Sequence, residues 1–118
     1  MSDIDKIFKV LSSKKISLLN EKKTQDEIEN LFINNSIPYK REYKLSDNDI
    51  IDFLLYDNIG VEVKIKAPAR TIFRQCKRYC EHDEISKIIL VSGKHMGLPE
   101  QINNKDCYFF SLSRSWML

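Results

Sequence analysis

The chain has 118 residues, 31% of them charged and 42% apolar, with a net charge of +2. That length has room for one domain with a modest core and none for a second. No run approaches the roughly 18 apolar residues of a membrane helix, so the composition is that of a soluble globular protein without a membrane partner, and a charge this small does not by itself point to nucleic acid.

In chain order, MSDIDKIFKV carries two acidic residues and no apolar core, so no secretory signal is expected and the expected compartment is the cytoplasm. Ile4, Ile7, Phe8 and Leu11 stand at helical spacing and predict a short first helix, and the polar SSKKISLLNEKK reads as a connection. TQDEIENLFINNS opens with Thr24 and Glu27 at capping-box spacing and continues with the apolar stripe Ile28, Leu31 and Phe32, a helix that ends before Pro38. From Tyr39 the period changes to two. Tyr39, Arg41, Tyr43 and Leu45 alternate with Lys40, Glu42 and Lys44, as expected of an edge or half-exposed strand.

IDFLLYDNIGVEVKIK then reads as a hairpin of two apolar strands. Pro68 marks the first turn of a further helix running to about His82, with Ile72, Phe73, Cys76 and Tyr79 as its apolar face. SKIILVS is a strand buried on both faces, GKHMGLPEQINNKD a loop region, and CYFFSL a last strand. The order α, α, β, β, β, α, β, β, with a helix between the third and fourth strands, implies a parallel crossover in a mixed sheet.

Three cysteines, Cys76, Cys80 and Cys107, have no paired spacing and argue against a disulfide framework. Cys76 and Cys80, one helical turn apart, read as small core residues rather than as metal ligands with His82. His82 and His95 read as surface residues and Trp116 as a packing anchor.

The hairpin holds three charges where charges are uncommon: Asp52 in its first strand, and Glu62 and Lys64 in its second. Residues two apart share a face, so Val61, Val63 and Ile65 point into the core while Glu62, Lys64 and Lys66 point away. On the preceding strand Asp52 lies with Ile50 and Leu54, opposite Ile51, Phe53 and Leu55. A two-residue Asp57-Asn58 turn would pair Phe53 with Glu62; an odd-numbered loop or a bulge sets Asp52 beside Glu62, and that is the expectation. Two carboxylates together repel unless a cation lies between them. Magnesium suits such a pair, because it takes one or two carboxylates and keeps several waters, with the Val63 carbonyl as a further ligand. Lys64 is placed to orient or help deprotonate an attacking water, or to offset charge building on a phosphate. Next comes KAPARTIFRQCKR, in which Lys66, Arg70, Arg74, Lys77 and Arg78 follow Lys64 with no acid among them. Arg70, Arg74, Lys77 and Arg78 share one helix face, suited to phosphates rather than bases.

Asp52, nine intervening residues and then Glu62-Val63-Lys64 resemble the metal-binding signature of the PD-(D/E)XK nuclease superfamily, which includes restriction endonucleases and archaeal Holliday junction resolvases. The stretch from REYKL through SKIILVS to LP is also similar to small phage and prophage proteins of that superfamily, in which the arginine-glutamine and arginine-tyrosine pairs of RQCKRY recur. The residue before the aspartate is Ile51, where the superfamily's name has proline; many members lack that proline.

The resemblance implies an α/β class (an α+β mixed sheet) with a restriction-endonuclease-like α-β-β-β-α-β core. One nuclease-like domain over 1–118 is expected, with an N-terminal extension at 1–20, a core at 24–112, an extra N-terminal helix and a C-terminal strand. Asp52 and Glu62 become metal ligands and Lys64 the catalytic lysine. Glu27 matches a glutamate that some members supply from the first core helix, and Gln75 a polar residue that many place near the metal. The implied activity is hydrolysis of DNA phosphodiester bonds with Mg2+, or Mn2+ as its substitute, in a bacterial host cell if the chain is phage-encoded. With no separate recognition domain, structure-selective or weakly specific cleavage is expected, on duplex or branched DNA and with a homodimer where both strands are cut. The alternative is a catalytically silent nuclease-fold module that binds DNA or a protein partner.

Overall fold

In the computed structural model, which describes residues 2–94 and 96–113, helix α1 spans Asp3–Leu11. Ser2 caps it, its hydroxyl accepting from the Asp5 N–H at 3.1 Å, and Asp3 and Asp5 in the first turn and Lys9 in the last suit the helix dipole. His95 and Trp116 lie outside the described residues.

Helix α2 spans Glu21–Asn34, four residues earlier than a helix capped by Thr24 would begin. Asn20 is the cap, accepting from the Lys23 N–H at 2.8 Å. Thr24 is instead fully buried inside the first turns, where its hydroxyl lies 2.6 Å from the Ser17 carbonyl and 2.9 Å from that of Asn20. A threonine can satisfy its hydroxyl by bonding back along a helix, and Asn20 is the stronger cap.

Six strands follow: β1 (Tyr39–Lys44), β2 (Ile50–Leu55), β3 (Ile59–Lys64), then after helix α3 (Ala69–Cys80) β4 (Lys87–Ser92), β5 (Gln101–Ile102) and β6 (Lys105–Ser111). They form one mixed sheet in the order β1-β2-β3-β4-β6-β5, antiparallel except at β3–β4 and β4–β6. The helix between β3 and β4 makes the expected parallel crossover. β4 lies between two parallel neighbours, which is why Ile88, Ile89, Leu90 and Val91 at its centre are all apolar. β5 is an element absent from the predicted order. Asn103 and Asn104, at φ 53° and 64°, form a two-residue turn between Ile102 and Lys105, a conformation asparagine tolerates.

Helices α1 and α2 cover one face of the sheet, burying Ile7, Leu11, Ile28 and Phe32 against Phe53, Val61 and Val63. Helix α3 covers the other with Ile72, Cys76, Tyr79 and Cys80. Phe73, predicted on the apolar face, is instead 37% exposed. Among the described residues no helix is long and apolar enough to cross a membrane.

The faces of β1 and β2 depart from simple alternation. Tyr39 and Phe53 pack under α2, with the Arg41 guanidinium over the Phe53 ring, yet Tyr43 and Ile51 pack with the α3 cluster. Both strands change sides between these residues, at Glu42 and Asp52. Glu42 sits at φ 51°, in the left-handed region, inside a strand. Ile51 thereby reaches across Gly60, where a Cβ would stand 2.5 Å from its Cδ1. A side chain at Gly60 would have to push the ends of Ile51 and Ile85 aside, so glycine leaves room for that close approach.

Candidate active site

Between Leu55 and Ile59 the chain turns through three residues, Tyr56–Asn58, with Asp57 and Asn58 both at positive φ. The register Phe53↔Val61 and Leu54↔Gly60 therefore continues to set Asp52 opposite Glu62. This is the odd-numbered connection that the shared site requires. Past Phe53 the backbone pairing of β2 and β3 ends, and the side chains take it over. The Asp52 N–H donates to Glu62 Oε1 at 3.1 Å, and the Val63 N–H donates to Asp52 Oδ2 at 2.8 Å. Each carboxylate is held by a backbone N–H of the opposite strand: Glu62 by that of Asp52, and Asp52 by that of Val63. Lys64 Nζ lies 3.7 Å from Glu62 Oε2.

Glu62 is 2% exposed. Burial first, and the Asp52 charge second, push its carboxyl up to about 8, against the opposing pull of the Asp52 amide, Lys64 and Tyr79. Burial likewise raises Asp52, against the Val63 amide. A buried and a half-buried acid facing one lysine are a charge deficit, so without a further cation the pair holds a proton.

Tyr79 of α3, which periodicity places in the core, belongs to this group. Its hydroxyl lies 2.9 Å from the Ile50 carbonyl and 3.2 Å from Glu62 Oε2, and accepts from Gln75 Nε2 at 2.7 Å. Gln75 is thus one hydroxyl away from the carboxylates. A tyrosine inside an apolar stripe needs a partner for its hydroxyl, and that was the signal available in the sequence. Tyr79→Phe is expected to cost about 1–2 kcal/mol, because a buried carbonyl and Gln75 each lose their partner; a thermal-unfolding comparison checks it.

Glu27 lies elsewhere. It accepts from the Ser17 N–H at 3.2 Å and lines a cavity of about 540 Å³ with Lys15, Leu18 and Leu112. The carboxylate of α2 whose charge acts on the pair is that of Glu21, which accepts from the Ile65 N–H at 3.1 Å and raises Asp52 slightly. The capping-box spacing of Thr24 and Glu27 hid this, since the true first turn begins at Glu21.

Of the basic residues, Lys66, Arg70, Arg74 and Lys77 are exposed, with the last three on the flank of α3 turned away from the sheet. Arg78 is drawn off the stripe: its Nε lies 3.1 Å from Asp49 Oδ1, and His82 Nε2 lies 2.9 Å from Asp49 Oδ2. These contacts, the His82 bond first, hold the Asp49 carboxyl below its ordinary value. Its contribution is therefore present above the ordinary carboxylate range and is lost as pH falls through the lowered value. Asp49→Asn is expected to destabilise the protein by about 1–2 kcal/mol at pH 7 and by little at pH 2, as denaturant titrations at the two pH values would show.

Cys76, Cys80 and Cys107 are buried and unpaired, and burial pushes the Cys76 thiol up to about 12, the behaviour of core residues. Among the described residues no three His, Cys, Asp or Glu side chains converge to hold a metal ion. The donors on hand are two carboxylates and the Val63 carbonyl, which faces the same gap as the Val63 N–H because both groups of an extended residue point to one neighbour. An all-oxygen set with two acids fits magnesium, which retains waters, and does not fit zinc or calcium, which take more ligands from the protein.

No family model, no curated protein and no solved structure matches the chain.

Proposed function

We propose that the protein is a magnesium-dependent endonuclease that hydrolyses DNA phosphodiester bonds. The observation that supports this reading above all is the reciprocal clamp of Asp52 and Glu62 across β2 and β3, with Lys64 3.7 Å away. An ion pair on an ordinary surface has no reason to hold two acids in mutual contact under burial. The element order α2-β1-β2-β3-α3-β4 agrees with the restriction-endonuclease-like core that the resemblance implies.

In this reading Asp52, Glu62 and the Val63 carbonyl hold the ion. When bound, magnesium supplies Lewis-acid polarisation of the scissile phosphate and a more acidic water. Lys64 places its ammonium beside that position and offsets charge as it builds on the phosphate. Tyr79, fixed by Gln75, keeps Glu62 from turning away. Lys66, Arg70, Arg74 and Lys77 contact the backbone of DNA without selecting a sequence. One such centre cuts one strand, so cutting a duplex takes two copies or two events.

The test is incubation with supercoiled plasmid, linear duplex, single strand and a four-way junction, each with Mg2+, Mn2+ or chelator, comparing the native chain with Glu62→Ala. Metal-dependent cutting lost in the variant is the expected result. Binding without cutting in either protein would replace this reading with that of a silent DNA-binding module.

A further inference from the structure

We propose that the left-handed backbone at Glu42 is a positioning device for Asp52. The inference rests on the reading of Asp52 as a site residue. β1 and β2 pair at Arg41↔Phe53 and again at Tyr43↔Ile51, but the rung between, Glu42 with Asp52, is missing. Glu42, at φ 51°, is the one left-handed residue of that pair of strands. A non-glycine residue pays for this conformation, and within a strand nothing local repays it.

What it achieves is visible on both sides. Beyond it, Tyr43 and Ile51 pass to the α3 face, where Tyr43 bonds to Glu84 and Ile51 lies over Gly60. At Asp52 itself, β2 is left without a partner on the β1 side, and on the β3 side the ladder has also ended. Asp52 therefore belongs to neither face. Its side chain turns into the gap between β2 and β3 to meet the Val63 N–H, while its own N–H turns to Glu62. Had β1 continued its alternation, Glu42 would stand directly opposite Asp52 on the rung that Glu62 shares, a third acid beside the pair. Glu42 is exposed, so its role lies in its backbone and not in its carboxylate.

The test is amide hydrogen exchange, read by NMR without metal or DNA, at Asp52 and Val63. Glu42→Gln keeps the backbone and is expected to exchange as the native chain does. Glu42→Gly adopts positive φ freely and is expected to keep both protections with no loss of Tm. Glu42→Val resists positive φ and is expected to speed exchange at Asp52 and Val63 by about tenfold or more, while amides of α1 and β4 stay unchanged. If the valine variant does not fold, Glu42→Ala replaces it, with the same two amides affected first. Native protection at both amides in the valine or alanine variant overturns the proposal, as does its loss in Glu42→Gly. Because no cleavage is read, a native chain that fails to cut DNA would overturn the function above and leave this result standing.

Discussion

Glu62→Gln is expected to make the metal-free protein more stable at pH 8, and to flatten its stability between pH 5 and 8. Unfolded, Glu62 titrates near its ordinary value of 4.5; folded, it keeps its proton up to about 8. Between those values the folded chain holds one proton more than the unfolded chain, so each rise in pH withdraws stability. The contribution is complete below 4.5 and gone above 8. A displacement of that size corresponds to at most about 5 kcal/mol, and glutamine removes it while keeping the shape and an acceptor for the Asp52 N–H. Thermal unfolding in chelator at pH 5, 6.5 and 8 reads the effect as a Tm higher by several degrees in the variant at pH 8. Added Mg2+ is expected to stabilise the native chain at pH 8 by displacing the shared proton and to do little for Glu62→Gln. A native chain whose stability is flat over this range would show that the pair carries no such strain.

The second large effect is on chemistry. Lys64→Met is expected to lower the cleavage rate by about 10²–10³-fold, the loss typical when a positioned group no longer stabilises developing charge. Its side chain is 20% exposed and its ammonium stands 3.7 Å from Glu62 Oε2, close enough to act on a phosphate held at the carboxylates. Both carboxylates remain in the variant, so the Mg2+ concentration that gives half-maximal stabilisation is expected to change far less than the rate. Lys64→Arg keeps the charge on a different fork and is expected to fall between. Equal rates for Met and native would remove Lys64 from the reaction.

Much of this site was legible in the chain because it depends on parity. Period-two alternation fixes which residues of β3 share a face, and one further condition, an odd connection, brings Asp52 to Glu62; the three-residue turn at Tyr56–Asn58 meets it. The parallel crossover followed from the helix between β3 and β4 in the same way. What was not legible depends on single backbone choices. Glutamate has no preference for positive φ, so nothing announces that Glu42 inverts two strands. Asn20 and Thr24 both offer caps to α2, and the spacing of Thr24 with Glu27 favours the wrong one, which leaves Glu21 outside the expected helix. Asn103-Asn104 did carry a turn signal, obscured by the polar loop around it. Arg78 looked like part of a phosphate stripe because its partner, Asp49, is far away in sequence.

The geometry also separates holding from reacting. Glu62 is fixed by three groups, the Asp52 N–H, Tyr79 and Lys64, and Tyr79 is in turn fixed by Gln75 and the Ile50 carbonyl. Rigid support of this kind is what a metal ligand needs. Among the described residues none supports the outward flank of α3 in this way, so on the proposed function single changes at Arg70, Arg74 or Lys77 are expected to weaken DNA binding modestly and in a salt-dependent way.

The most direct measurement is the rate of plasmid nicking against Mg2+ concentration, for the native chain and for Asp52→Asn. The expected result is a saturable magnesium dependence in the native chain and a rate at least about 10²-fold lower in the variant, only partly recovered by more Mg2+. Nicking that is unchanged in Asp52→Asn, or that persists in chelator, would contradict the assignment of this carboxylate pair as the catalytic centre.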